Sequence, residues 1–366
     1  MDVTKTQQIA GKNYAVILAL TAALLFGLNA PFSKLFLERL PPMLMVSLLY
    51  LGAGIGILAL NLMTRAAGQE KAEAKITKKE LPWTIFMILL DIAAPFFLML
   101  GLLTATANTA SLLFNFEMVA TSVIALVFFK EAVGKRMWMA IGIITLASII
   151  LSLDWTDISA IAFSMGSVFV LLACCCWGLE NNCTRNMSEK DPAQIVILKG
   201  FGSGLGAALI FLFFERAELT NFSIYYVLGA LILGFISYGL SIFLYVKAQR
   251  HLGAARTSTY YAAAPFMGVI VSFIIFGTTL DISFWLAAVL MVAGTYLAVR
   301  ENHDHAHVHE ELVHEHLHGH DDGHHSHKEN NSNHDERENV HSHEHTHKTE
   351  QHSHSHNPDI HHRHSH

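Results

Sequence analysis

The chain has 366 residues, of which 52% are hydrophobic and 15% charged, and it carries a formal net charge of −6. The apolar residues are gathered into long runs instead of the one-sided stripes of surface helices, which excludes an ordinary soluble globule. No basic surplus suggests a nucleic-acid partner, and none is expected.

Ten runs of membrane-spanning length fill residues 14–299, at 14–36, 43–63, 82–103, 108–129, 136–153, 161–181, 193–214, 224–246, 255–276 and 281–299. About 20 mostly apolar residues cross the hydrocarbon of a bilayer. Inside lipid only a structure that satisfies its own backbone hydrogen bonds survives. The expected fold class is therefore all-α: a polytopic membrane protein with ten transmembrane helices.

The first run follows Lys5 and Lys12, as a signal peptide would, but it leads straight into more membrane segments and reads as an uncleaved first helix. Asn29 sits two residues before Pro31, whose ring frees a helix carbonyl. In the second run Gly52 and Gly56 form a packing seam, as Gly202 and Gly206 do in the seventh. Asp91 lies nine residues into the third run, about 13 Å deep at 1.5 Å per residue, with Pro95 one turn later. An ionisable group at that depth costs several kcal/mol unless paired or hydrated, which makes Asp91 the first candidate for coupling or for a cationic substrate group; a structural Asp bonded to a helix carbonyl is the competing reading.

The fourth run carries Glu117 with Thr121 one turn away, and Asn108, Ser111, Asn115 and Ser122 at near-helical spacing on another face. Such a stripe lines a cavity or bonds a neighbouring helix. Cys174, Cys175, Cys176 and Cys183 fall in or just after the sixth run, and their spacing reads as packing. Tyr238 is deep in the eighth run, whereas Tyr260 and Tyr261 stand near the inner end of the ninth, as substrate contacts or as an interfacial belt. Lys34, Glu180, Arg185 and Lys199 fall near predicted helix ends and are expected to snorkel to headgroups.

The connecting segments alternate in charge. One set, Lys199 included, holds 17 Lys and Arg residues and the other only Arg39 and Arg216. Lys and Arg gather on the cytoplasmic side, so a multi-pass cell-membrane protein with both termini cytoplasmic is expected.

A shift of 147 positions lays the third to fifth runs over the eighth to tenth, setting Asp91 on Tyr238, Ser111 on Ser258 and Trp138 on Trp285. A shift of 151 sets Phe26-Gly27-Leu28 on Trp177-Gly178-Leu179 and Lys34 on Arg185. Two units of five helices enter the membrane from opposite sides, an arrangement common in transporters. The expected organisation is a cytoplasmic N-terminus (1–13), a first five-helix repeat (14–153), an external linker (154–160), a second, inverted five-helix repeat (161–300) and a cytoplasmic tail (301–366).

The segment Ala107-Asn-Thr-Ala-Ser-Leu-Leu-Phe-Asn-Phe-Glu117, followed by Lys130-Glu131 and Trp138, resembles the fourth and fifth helices of EamA-type permeases of the drug/metabolite transporter superfamily. So does Ala248-Gln-Arg-His-Leu-Gly-Ala-Ala-Arg-Thr-Ser258 followed by Ala264-Pro265. Phe26-Gly-Leu-Asn29 and Trp177-Gly-Leu-Glu180 resemble the Trp-Gly-x-Asn pattern that opens each repeat, with Phe for Trp in one and Glu for Asn in the other. The resemblance covers about 14–299 and implies a ten-helix carrier of small organic molecules, frequently an exporter.

No Walker loop, Gly-rich dinucleotide turn or His-Glu-x-x-His is present, so neither an enzyme nor an ATP-driven pump is expected, and no cofactor is required. Residues 301–366 hold 23 of the 24 histidines, 14 acidic and 4 basic groups, and no aromatic Phe, Trp or Tyr, a composition expected to remain disordered. The alternating clusters His303, His305, His307, His309; His314, His316, His318, His320; His341, His343, His345, His347; and His352, His354, His356 suit zinc, nickel, cobalt or copper, because neutral imidazole ligates all four. The expected function is secondary transport of a small metabolite or drug-like solute by alternating access, with the tail buffering or sensing metal. The alternative is a transition-metal exporter fed by the tail. Asp91, Asn115, Glu117, Ser111, Tyr238, Asn29, Tyr260 and Tyr261 are the candidate substrate or coupling residues.

Overall fold

The computed structural model describes residues 3–66, 76–129, 134–154, 162–185, 187, 190–215, 223–252, 257, 260–299, 303–308, 312–319, 340–347 and 351–356. Its membrane part is helical: α1 (Val3–Gly27), α2 (Asn29–Phe36), α3 (Pro42–Ala66), α4 (Leu81–Thr104), α5 (Ala107–Leu113), α6 (Phe116–Phe129) and α7 (Lys135–Ser152), then α8 (Met165–Arg185), α9 (Pro192–Phe214), α10 (Ile224–Gly234), a π-helical turn (Phe235–Leu240), α11 (Ser241–Leu252), α12 (Ala264–Phe276) and α13 (Ile282–Val299). Two residue pairs, β1 (Leu153–Asp154) and β2 (Ala162–Phe163), bond antiparallel where α7 passes to α8. The expected linker lies almost wholly outside the described residues.

Three spans are broken, each for a local reason. Pro31 has no N–H to give the Gly27 carbonyl, and the chain bends at Leu28 between α1 and α2. Between α5 and α6 the chain turns at Phe114 and Asn115, and the Asn115 side chain donates to the Leu112 carbonyl at 2.9 Å, replacing a lost backbone bond. Between α10 and α11 the helix widens into the π turn, a rare feature that concentrates at functional sites.

Large side chains cover the outside of the bundle: Phe213 is 79% exposed, Phe214 84% and Ile282 88%. A continuous apolar exterior of this kind marks a lipid-facing surface. Eight stretches are long and apolar enough to cross a bilayer: 14–36, 42–66, 81–104, 107–128, 135–152, 192–214, 224–245 and 282–299. The other two expected spans differ in a way their residues explain. α8 has 21 residues but ends in the polar run Glu180-Asn-Asn182, and α12 is apolar but only 13 residues long.

Four pairings dominate the packing: α3 on α9, α4 on α8, α7 on α13, and α1 on α11. The α3–α9 crossing is close because Gly54 and Gly200 meet backbone to backbone, where a side chain at either would collide. Gly52 and Gly56 face Leu231 and Phe235, and Gly202 and Gly206 face Ile88 and Ile92, so all four are seam residues.

Four stretches of the tail fall within the described residues. β3 (His303–Val308) pairs antiparallel with β6 (Gln351–His356), and β4 (Leu312–Gly319) with β5 (Val340–His347). Alternating residues free of Pro suit extended backbone, and the ladder bonds need no apolar core.

Candidate functional site

The deepest polar groups converge where α3, α4, α8 and α9 meet. Asp91 is ten residues into α4, about 15 Å from its start, and 1% exposed. Its Oδ1 accepts from the Tyr50 hydroxyl on α3 at 2.9 Å. Its Oδ2 lies 3.4 Å from Lys199 Nζ on α9. The same ammonium donates to Glu180 Oε1 on α8 at 2.8 Å, and Thr184 bonds that oxygen from one turn away. One ammonium thus bridges two carboxylates inside the bundle. Charges buried without such a partner would be driven to neutralise.

Glu117 stands at the start of α6, half-buried, one helix away. Its Oε1 accepts from Asn181 Nδ2 at 2.7 Å. Asn181 also reaches Thr121, and Asn182 donates to the Thr121 carbonyl at 3.1 Å, so the polar end of α8 is stitched to α6.

On the opposite side the groups are neutral. Asn29, buried at the start of α2, donates to the Tyr238 hydroxyl at 3.0 Å and accepts from Ser33 at 3.0 Å. Tyr238 stands on the π turn, its ring 5.2 Å from that of Tyr50 and 6.4 Å from that of Phe26. Phe26 also touches Phe114 (6.2 Å) and Tyr261 (5.8 Å), and Phe114 meets Trp177 edge-on at 5.7 Å. Ser241 donates to the Ala22 carbonyl at 2.9 Å, which leaves its oxygen to accept from the Tyr261 hydroxyl at 3.3 Å. The result is a buried polar centre with an ionic side on α4, α8 and α9 and a neutral, largely aromatic side on α1, α2 and the π turn, the two joined by Tyr50, which bonds Asp91 and packs on Tyr238.

Five of the eight residues singled out in the sequence belong to this polar centre or adjoin it: Asp91, Glu117, Asn29, Tyr238 and Tyr261. Three do not. Asn115 is committed to packing: its Oδ1 accepts from Thr295 on α13 at 3.0 Å. Ser111 is buried at the α5–α12 contact, facing Gly268. Tyr260 packs with Ala15, Leu18 and Ala19 near the start of the first span. The polar stripe of the fourth run is therefore divided between helix contacts.

Lys199, Glu180 and Lys34 correct the snorkelling expected of them. Lys199 is seven residues inside α9, about 10 Å from its start. The depth arithmetic that singles out Asp91 also singles out Lys199. Glu180 occupies the position that the 151-residue shift sets on Asn29, a second signal in the sequence. Lys34 turns inward to donate to the Leu102 and Ala105 carbonyls at 2.5 and 2.7 Å, capping α4. Tyr50 has no such signal, being one aromatic in an apolar run.

Among the described residues no group of three or more His, Cys, Asp or Glu is placed to hold a metal ion. Of the candidate histidines, His309 and His320 lie outside the described residues, and the other 13 are placed in strands by their backbone. The strand registers set His303, His305 and His307 opposite His356, His354 and His352, and His314, His316 and His318 opposite His345, His343 and His341.

The EamA-like transporter family matches the chain twice, over residues 13–153 and 164–300. An uncharacterized transporter from Methanothermobacter thermautotrophicus is 24% identical over 302 residues, covering 78% of this chain and 85% of that protein. A solved crystal structure of a protein superposes with a TM-score of 0.54 at 16% identity, covering 78% of this chain and 96% of the other, a likeness of fold.

Proposed function

Because the chain belongs to the EamA-like transporter family, we propose that it is a secondary carrier that moves a small organic solute across the cell membrane by alternating access through the Asp91 polar centre. The observation that carries this reading is the buried Asp91–Lys199–Glu180 set with the aromatic side opposite it. Ionisable groups at membrane depth mark substrate or ion paths.

The two family matches support two inverted units of five helices each, 14–153 and 161–300, joined by an external linker at 154–160. The packing supports it too: exchanging the halves maps α4 on α8 to α11 on α1, and returns α3 on α9 and α7 on α13 to themselves. Inverted units of this kind rock against each other around a fixed central site. α8 and α12 then complete a count of ten spans, and the excess of Lys and Arg in alternate segments supports cytoplasmic termini.

The His-rich tail is assigned a metal-buffering or metal-sensing role, and its ligands would be zinc, nickel, cobalt or copper. A second reading, export of a transition metal, rests on that tail alone. The polar centre argues against it, since its carboxylates are joined by one ammonium and it contains no histidine.

The test compares all solutes and metals retained by cells with and without the protein. Accumulation of one organic solute in its absence, abolished by the native gene and not by Asp91→Asn, is the expected result. A change confined to metals would overturn the organic-solute reading.

A further inference from the structure

We propose that the cargo is an organic cation with an aromatic or apolar body and no carboxylate of its own, its charged head taken between Asp91, Glu180 and Glu117 and its body laid against Phe26, Tyr238 and Tyr261. This deepens the carrier reading and rests on it.

The first argument is charge balance. Three carboxylates, Asp91, Glu180 and Glu117, stand on neighbouring faces of α4, α8 and α6. Among the described residues, one ammonium, Lys199, lies within ion-pair distance of any of them. The enclosed set is thus two negative charges in excess in its ionised form. An unmatched charge removed from water is costly, and a positive ligand head relieves that cost where a negative one compounds it.

The second argument is an open acceptor. Lys199 sits closer to Glu180 than to Asp91, and Asp91 Oδ2, fully enclosed, takes no hydrogen bond. A buried carboxylate oxygen whose one cationic neighbour stands off at 3.4 Å is the group an entering N–H would satisfy. Glu117 is comparably under-supplied: Asn181 gives it one hydrogen bond and it has no cation within ion-pair distance among the described residues.

The third argument is the opposite side. Phe26, Tyr238 and Tyr261 form a continuous ring surface, and Tyr50 links it to the ionic side by bonding Asp91 and packing on Tyr238. Aromatic faces attract cations and cover apolar bodies alike. A cargo carboxylate would meet excess negative charge, and its one cationic partner is already held by two carboxylates. Lys199 is therefore the internal counter-ion of the buried carboxylates, not the anchor for an anionic cargo.

The test uses the full chain, purified in detergent, with matched probes at neutral pH: phenethylamine and benzyltrimethylammonium as cations, 2-phenylethanol as the neutral analogue and 3-phenylpropanoate as the anion. Binding is read from thermal stabilisation and tryptophan fluorescence. The cations are expected to bind about tenfold or more tighter than the acid. Glu117→Gln keeps an acceptor for Asn181 and removes the charge, so it should weaken cation binding about tenfold without lowering the melting temperature. Lys199→Gln should preserve or strengthen cation binding. Tighter binding of the acid, loss of binding in Lys199→Gln protein that still melts cooperatively, or no binding of either cation would overturn the proposal. Counterflow in proteoliposomes separates this from the carrier reading. Exchange of neutral or anionic solutes without cations overturns the cationic cargo alone, whereas vesicles that exchange no solute from a cell extract overturn the carrier itself.

Discussion

Asn29 and Tyr238, 209 residues apart in the chain, are joined by a hydrogen bond of 3.0 Å at the centre of the bundle. Their counterparts under the internal shifts are Glu180 and Asp91, two carboxylates that need the Lys199 ammonium between them. One side of the polar centre is held by a neutral bond and the other by an ion bridge. Tyr238→Phe leaves the Asn29 amide without its acceptor, at a cost of about 1–3 kcal/mol. The melting temperature in detergent should fall accordingly, and transport with it.

Asp91→Asn should abolish transport yet cost only about 1 kcal/mol of stability, because Lys199 stays paired with Glu180 and the excess of buried carboxylates falls by one. The double variant Asp91→Asn/Lys199→Met should be more stable than the additive sum of the two single variants. Urea or thermal melts of the four proteins check this as a double-mutant cycle; strict additivity would mean that the ion pair is not formed.

Lys34→Met should loosen the end of α4. The ammonium holds the Leu102 and Ala105 carbonyls, and helix-terminal carbonyls without partners weaken the last turn. A loss of about 1–2 kcal/mol is expected. Faster hydrogen exchange confined to residues 101–107 would show the effect is local.

Outside the spans, Glu80 offers a pH signature. Burial raises its carboxyl, but hydrogen bonds from the Thr77 hydroxyl and N–H, with the Lys190 ammonium, outweigh it and hold the group below the ordinary range. A folded value below the unfolded one means the contribution is present at neutral pH and lost as pH falls beneath the ordinary Glu value of about 4.3. Glu80→Gln should therefore melt lower than the native protein at pH 7, and the two should converge in more acidic buffer.

Deleting residues 301–366 should leave solute transport unchanged while lowering the number of nickel or zinc ions bound per chain in equilibrium dialysis. Metal binding that survives the deletion would place it within the bundle instead.

The sequence displays its spans because long apolar runs have one physical solution in lipid. Asp91, Asn29 and Tyr238 are legible through depth and through the internal shifts. Lys199 and Glu180 carry the same signals, but a long side chain within two turns of a helix end is expected to reach water, whereas both point into the bundle. The polar finish of α8 has the same cause: Glu180, Asn181 and Asn182 depress its hydropathy because they face α6 and α9 and not lipid. The π turn under Tyr238 and the part played by Tyr50 have no local signature, since both depend on which helix lies opposite.

At Gly54 and Gly200 helices α3 and α9 touch through bare main chain. One turn along, Leu51 seats on Gly204 and Ser47 donates to the Gly204 carbonyl at 2.9 Å, so the crossing is a pinned pivot about which α3 and α9 keep their register. A methyl group at either glycine would wedge the two main chains apart and unseat that pivot.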